Sequence, residues 1–203
     1  TGFGQSEITI LNTATGELIR TLPKLPWTIV RVGVKLSPFG TMLWSPDGTR
    51  LLRQSVLREV VDERDRFHEL LQVVNVTSGE EIWERKLSAD GLPHSVWSWS
   101  PDGALLAILQ ATDDIASRHD VELWDSGTGT PLAVIDGTEI NVVNSSISFS
   151  PDGNRLAGIC RATEICVWDL PERPVVAASG PLHLSAPRQT YLSDKPVFGL
   201  AFS

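Results

Sequence analysis

The chain has 203 residues, 41% of them apolar, and a formal net charge of −8 with a pI near 5.0. That is enough apolar material for a substantial core, while the acidic balance argues against nucleic acid and anionic membrane, both of which want a clustered basic surface. No apolar run approaches the length of a bilayer span, and no charged-then-apolar signal segment opens the chain. Cys160 and Cys166 are too few for a disulfide framework, which points to a reducing, cytoplasmic compartment. They flank a tight turn that could bring them together across a hairpin; a disulfide would suit an exported protein, but buried free thiols behaving as small apolar groups are expected there.

In chain order, the first predicted element is the alternating strand Ile8-Thr9-Ile10-Leu11-Asn12, followed by a Thr15-Gly16-Glu17 turn and Leu18-Ile19-Arg20. A long connection from Pro23 to Phe39 carries Trp27. Next come Met42-Leu43-Trp44, a Ser45-Pro46-Asp47-Gly48 turn, and an apolar run from Leu51-Leu52. Leu71-Gln72-Val73-Val74-Asn75, Ser78-Gly79-Glu80 and Ile82-Trp83-Glu84 repeat the opening pattern. The unit then recurs around Ser100-Pro101-Asp102-Gly103 and Ser150-Pro151-Asp152-Gly153, and Ala201-Phe202-Ser203 stops where a further copy would begin. Between Ser45, Ser100, Ser150 and Ser203 the intervals are 55, 50 and 53 residues. Proline presets the first turn position, aspartate tolerates the second, and glycine takes the left-handed conformation, so each copy predicts a hairpin. Each repeat is thus four strands, a to d.

Strand, Ser-Pro-Asp-Gly, strand, strand ending in Trp-Asp, turn, strand resembles the WD-repeat family of β-propellers over nearly the whole chain. The match is degenerate. Only Trp124-Asp125 and Trp168-Asp169 keep the dipeptide, while Leu11-Asn12 and Val74-Asn75 replace it. The family's Gly-His pair is missing, and its aspartate six residues before the tryptophan falls on Arg118 and Ala162. Without the family's usual hydrogen-bond tetrad, stability is expected to lean on apolar packing between blades, at about 25 cal/mol per Å².

The resemblance implies an all-β fold, a β-propeller of four-stranded antiparallel blades, with about three complete blades and two partial ones. The expected division is strands c and d of one blade in 1–22, blades in 40–87, 95–136 and 145–179, and strand a of the next in 197–203. Propellers close with four to eight blades, so the chain is expected to be a piece of a larger ring whose remaining blades cover its terminal faces. Closure by self-association or an irregular small ring is the alternative. Periodicity alone also permits a helix over Leu51 to Leu71, with Leu52, Val56, Leu57, Val60 and Val61 on one face. The repeat register favours an extended hairpin.

The a–b and c–d turns are short and uniform and share one side of a propeller disc, while the b–c and d–a connections on the other side are long and dissimilar. Variable loops on a rigid scaffold concentrate binding residues. The expected partner-binding face therefore comprises Trp27 in the Pro23–Phe39 connection, Asp62, Glu63 and Asp65 in the hairpin Val60–His68, and Asp113, Asp114 and Asp120 in Thr112–Asp120. A second d–a connection is expected from Gly180 to Pro196. The mixed run Asp62-Glu63-Arg64-Asp65-Arg66 reads first as a solvated tip and second as an ionic docking patch. Asp113, Asp114, His119 and Asp120 match no calcium-loop spacing, so no metal is assigned. Trp44, Trp99, Trp124 and Trp168 occupy repeat-equivalent strand positions and are expected in the core, leaving Trp27 as the surface anchor.

Two functions remain in view. One is a non-catalytic scaffold binding a protein or peptide, as the resemblance implies, with the acidic charge favouring a basic partner. The other is a propeller enzyme, such as a lactonase-like hydrolase, or a propeller regulating a fused catalytic domain. The predicted innermost strands offer Met42, Leu43, Val96, Ile147 and Leu200, none of them an acid, base or nucleophile. No catalytic residue or cofactor is assigned.

Overall fold

The computed structural model describes residues 8–22, 42–61, 64–88, 95–109, 119–138, 146–161, 163–171, 181–184, 187, 189–197, 199–200 and 202. These are all strand, turn or irregular backbone, in two compact units, Thr1–Gly91 and Leu92–Ser203.

In the first unit, β1 (Ile8–Leu11) pairs with β2 (Leu18–Leu22), and β3 (Met42–Trp44), β4 (Arg50–Val61), β5 (Arg64–Asn75) and β6 (Glu81–Ser88) form a four-stranded antiparallel sheet in that order. The helical alternative over Leu51 to Leu71 is excluded, because the segment is two paired strands. Side chains alternate between faces with period two. Leu51 and Val74 face one way and pack with Ile10 and Leu22 of the β1–β2 pair. Leu52, Leu71 and Val73 face the other way and are also buried.

The second unit holds two blades whose innermost strands lie side by side. One is β7 (Val96–Trp99), β8 (Leu105–Leu109), β9 (His119–Asp125) and β10 (Thr130–Thr138). The other is β11 (Ile147–Phe149), β12 (Arg155–Arg161), β13 (Glu164–Asp169) and, as its outer strand, β15 (Gln189–Leu192). Between β13 and β15 the chain supplies β14 (Leu182–Leu184), which joins the outer edge of β10 in parallel. A shared core gathers Leu109, Leu123, Ile135, Ile147, Phe149, Leu156 and Trp168.

The expectation of one open connection from Gly180 to Pro196, with strand d completed before residue 180, is corrected here. Both β14 and β15 lie inside that segment. After Trp168-Asp169 the sequence has no glycine turn and instead places prolines at 171 and 174. Lacking N–H donors, they disfavour an immediate return strand. Of the expected next strand a, residues 198, 201 and 203 lie outside the described residues, and the ring of Phe202 sits 5.9 Å from the guanidinium carbon of Arg155.

The turns show why the repeat is spelled as it is. In each Ser-Pro-Asp-Gly copy the serine hydroxyl donates to the aspartate Oδ1 at 2.6, 2.6 and 2.5 Å. The serine Oγ itself accepts the N–H of Arg50, Leu105 or Arg155 at 2.9, 2.8 and 2.9 Å. Asp47, Asp102 and Asp152 in turn accept the N–H of Thr49, Ala104 and Asn154. At the c–d turns, Asn12, Asn75 and Asp125 each accept two successive backbone N–H groups through Oδ1. Asparagine and aspartate are equivalent acceptors in such a turn, so the missing Trp-Asp pairs cost the turn nothing. Val76, Ser126 and Leu170, each following strand c, donate to the carbonyls of Thr49, Ala104 and Asn154 at 2.9, 2.9 and 2.8 Å. This ties strand c to the a–b turn of its own sheet.

Trp44 corrects the expectation of a core tryptophan at every repeat position. It is 46% exposed, whereas Trp99, Trp124 and Trp168 are buried. Its partner across the ladder is Leu51, and the apolar cluster on that face takes in Leu51 but leaves Trp44 and Met42 outside. Burial on an innermost strand is decided by the sheet stacked against it, not by the strand's own sequence.

Candidate partner-binding face

Each sheet has two unlike ends. At one end lie the hydrogen-bonded a–b turns, nearly identical in the three complete blades, and the Asx c–d turns at Asn12, Asn75 and Asp125; among the described residues the last blade has no such turn and passes from β13 through β14 to β15. At the other, the three b–c connections differ. β4 and β5 pair along their whole length, from Arg50↔Asn75 to Val61↔Arg64, whereas β6 ends at Ser88 opposite His68. The ribbon therefore runs four residues past its neighbour, about 13 Å at 3.2–3.4 Å per residue. The expected hairpin Val60–His68 is thus strand on both sides, with only residues 62–63 between the two strands. In the second blade the connection spans residues 110–118, and in the third residues 162–163.

Of the sequence-predicted site residues, Trp27, Asp62, Glu63, Asp113 and Asp114 lie outside the described residues. Asp65 is on β5, its backbone paired with Val60. Asp120 is exposed near the start of β9, next to His119, which pairs with Thr138. Asp65 and Asp120 belong to different sheets, one in each unit.

Cys160 and Cys166 are joined by a disulfide, with Cα atoms 5.9 Å apart. This corrects the expectation of free thiols. Strands β12 and β13 approach closely on either side of their turn, so the two sulfurs meet across the hairpin. Both cysteines are buried in the second unit's core. Their small number therefore no longer argues for a reducing compartment.

A buried polar row crosses the first complete blade, where apolar packing alone was expected. Arg53 Nε donates to Gln72 Oε1 at 2.6 Å, and Gln72 Nε2 donates to Glu81 and Glu84. Burial pushes the Arg53 pKa down from its usual value, and the charges of Glu81 and Glu84 oppose that shift. Gln54 Nε2 likewise donates to Glu69 Oε1 at 2.5 Å on the other face. These residues escaped sequence reasoning because a strand's own pattern, even one read as buried on both faces, does not say which polar side chains of neighbouring strands lie beside it.

The serine–aspartate lock lies at the uniform end. The Ser45 hydroxyl, then the N–H and hydroxyl of Thr49, hold the Asp47 carboxyl at a pKa of about 2 against 3.8 ordinarily. Asp152 is lowered in the same way, first by Ser150 and then by the Asn154 N–H. Recurrence of serine at the head of every turn was the available signal.

Among the described residues no group of three or more His, Cys, Asp or Glu is placed to hold a metal ion. No helix there is long and apolar enough to cross a membrane.

No family model matches the chain. The crystal structure of the WD40 domain of Toxoplasma gondii coronin superposes on 95% of it with a TM-score of 0.56 at 14% identity. KlAtg21, solved in complex with the coiled-coil of AgAtg16, superposes on 85% with a TM-score of 0.50 at 17% identity. A coronin-like protein of Saccharomyces cerevisiae is 34% identical over 71 residues, 35% of this chain.

The chain is a WD-repeat-like β-propeller. It spans 42% of the coronin domain and 50% of KlAtg21, and the matched stretch is 10% of the yeast protein. Within this WD-repeat-like fold the three complete sheets are blades, each turning Ser-Pro-Asp-Gly between strands a and b.

Proposed function

We propose that this propeller is a non-catalytic scaffold that engages a protein partner through the face built from its b–c and d–a connections. The observation that carries the reading is the contrast between the two ends of the sheets. One end repeats the serine–aspartate bonds in all three complete blades and the Asx bonds at Asn12, Asn75 and Asp125, and these turns offer little to discriminate partners. The other carries a projecting ribbon, a connection over 110–118 and a disulfide-closed hairpin. KlAtg21 in complex with a coiled-coil supports the class of activity, a propeller holding a protein segment.

Asp62, Glu63 and Asp65 on the ribbon and Asp113, Asp114 and Asp120 on the second connection favour a basic partner, with Trp27 as apolar anchor. The remaining blades of a larger ring belong to the same proposal. The enzyme alternative gains nothing from the innermost strands, where Met42-Leu43-Trp44, Val96-Trp97-Ser98-Trp99 and Ile147-Ser148-Phe149 supply no acid–base pair.

The test takes a partner captured with the full-length protein. Replacing the six acidic residues by their amides should slow association and flatten its salt dependence, because screening acts over a Debye length of about 8 Å. Trp27→Ala should speed dissociation. Loss of binding only when the Ser-Pro-Asp-Gly turns are altered would reverse the assignment of the face.

A further inference from the structure

Sheet edges invite strand addition, and proteins protect them with charge or cover. The outer strands of the three complete blades are protected differently. β6 reads Glu-Ile-Trp-Glu-Arg-Lys-Leu-Ser, with four charged residues along the edge. β10 reads Thr-Pro-Leu-Ala-Val-Ile before its first charge at Asp136. That uncharged apolar edge is covered by β14, a segment that leaves its own blade after β13 and returns to it only at β15.

The covering strand is short, and it is parallel in a fold whose other described pairings are all antiparallel. Its register is Ala133↔Leu182, Val134↔His183 and Ile135↔Leu184. Leu182 and Leu184 thus share a face with Ala133 and Ile135; the two β10 residues are fully buried, Leu184 packs against the core cluster, and Leu182 is 37% exposed. His183 faces the other way, beside Val134. The contact has the parts of a strand-addition site: main-chain pairing for affinity and alternate side chains for specificity.

We infer that the outer edge of β10 is a docking edge for an extended peptide of the pattern Leu-x-Leu, read in parallel and kept occupied in cis by Leu182–Leu184. A partner strand adds there when it displaces β14. This surface is separate from the b–c and d–a face and stands or falls independently of it. Pure edge protection is the competing account, and under it β14 does not exchange.

The probe is a fluorescein-labelled synthetic peptide carrying residues 180–186, Gly-Pro-Leu-His-Leu-Ser-Ala, titrated into the whole chain by fluorescence anisotropy. The variant Leu182→Asp/Leu184→Asp empties the edge and should bind the peptide. The unaltered chain should bind it about tenfold more weakly or worse, since apparent affinity falls with the fraction of open edge. A peptide with both leucines changed to aspartate should not bind either protein. Backbone N-methylation at the histidine alone, or at both leucines, should abolish binding in one pattern and spare it in the other, because alternate amides point to the same side of a strand.

Equal binding to variant and unaltered chain, or none to a variant with native circular dichroism, overturns the inference. Should the variant not fold, hydrogen exchange on the unaltered chain decides. Saturating peptide must speed exchange of the Leu182–Leu184 amides while β9 stays protected, and unchanged rates at Leu182–Leu184 leave β14 as an edge cover only.

Discussion

Ser45 donates its hydroxyl to Asp47 at 2.6 Å while accepting the N–H of Arg50 at 2.9 Å, and the same pair of bonds recurs at Ser100 and Ser150. The serines are buried, so each is a small polar hub closing a hairpin. Replacing Ser150 by alanine removes an acceptor from the Arg155 N–H and a donor from Asp152. An unmade hydrogen bond at a buried site costs about 1–3 kcal/mol. Ser150→Ala should therefore lower the denaturation midpoint clearly, while Ser148→Ala, whose hydroxyl makes a weaker 3.3 Å bond to the Phe149 carbonyl, should change it less. Chemical denaturation of both variants checks the order.

The same lock makes the fold acid-sensitive in a defined window. Asp47 has its pKa lowered to about 2 from 3.8, chiefly by Ser45 and then by Thr49. Between those values the unfolded chain binds more protons than the folded one, so stability falls as pH falls. The contribution is fully present above about pH 4 and lost by about pH 2. Asp47→Asn should flatten the fall in denaturation midpoint between pH 5 and pH 2. A slope equal to that of the unaltered chain would remove Asp47 from the account.

Gly153 holds a φ of 74°, and a Cβ built there would meet only Pro101 Cδ at 3.6 Å, an ordinary contact. The penalty for a side chain is therefore backbone strain, about 1–2 kcal/mol for a left-handed residue and more when β-branched. Gly153→Val should lower the melting temperature well beyond Asn154→Val, since Asn154 is exposed at the start of a strand. Equal shifts would put the turn elsewhere.

What the sequence made legible is local. Ser-Pro-Asp-Gly and the glycine of each c–d turn located six positive-φ residues, and period-two alternation located the paired strands. What stayed hidden depends on distant neighbours. Trp44 and Trp99 stand at equivalent places, yet one is 46% exposed and the other 7%, a difference their shared motif does not encode. β14 carries only Leu-His-Leu between prolines, too short for a periodic signal, and gets its partner from a strand some fifty residues earlier. The extended hairpin expected from the repeat register over Leu51 to Leu71 is the β4–β5 pair, but how far it outruns β6 was not written in its own residues. Of the candidate site, the six acidic residues were readable as composition, but their mutual placement was not.

The disulfide supplies a check that needs no binding partner. Cys160 and Cys166 close a small loop within a hairpin that is already paired from Arg155↔Asp169 to Arg161↔Glu164. The chain-entropy contribution of so short a loop is on the order of 2 kcal/mol, and the existing pairing should reduce it. Thiol titration of the denatured chain should find no free thiol without a reductant and two with one. Cys160→Ala/Cys166→Ala should lower the denaturation midpoint by less than Gly153→Val. Two free thiols in the unreduced chain would restore the expectation of buried sulfhydryls.

The last prediction concerns the terminal sheets. On the β1–β2 pair, Ile10 and Leu22 are buried against the neighbouring sheet, while Leu11, Leu18 and Ile19 are 52%, 62% and 52% exposed. On β15, at the outer edge of the last blade, Tyr191 and Leu192 are 52% and 81% exposed, and the strand Gln-Thr-Tyr-Leu carries no charge to deter pairing. In a stack of repeats each blade face is stable only when another covers it, so these are the surfaces that further blades would bury. Expressed alone, this span should bind an exposed-apolar-surface dye and sediment as concentration-dependent oligomers. Ile19→Lys with Leu192→Lys should reduce both, because a charge on each surface opposes self-association without touching the buried side chains. A compact monomer with a cooperative melt, no dye binding and no response to those substitutions would show that the two surfaces need no cover.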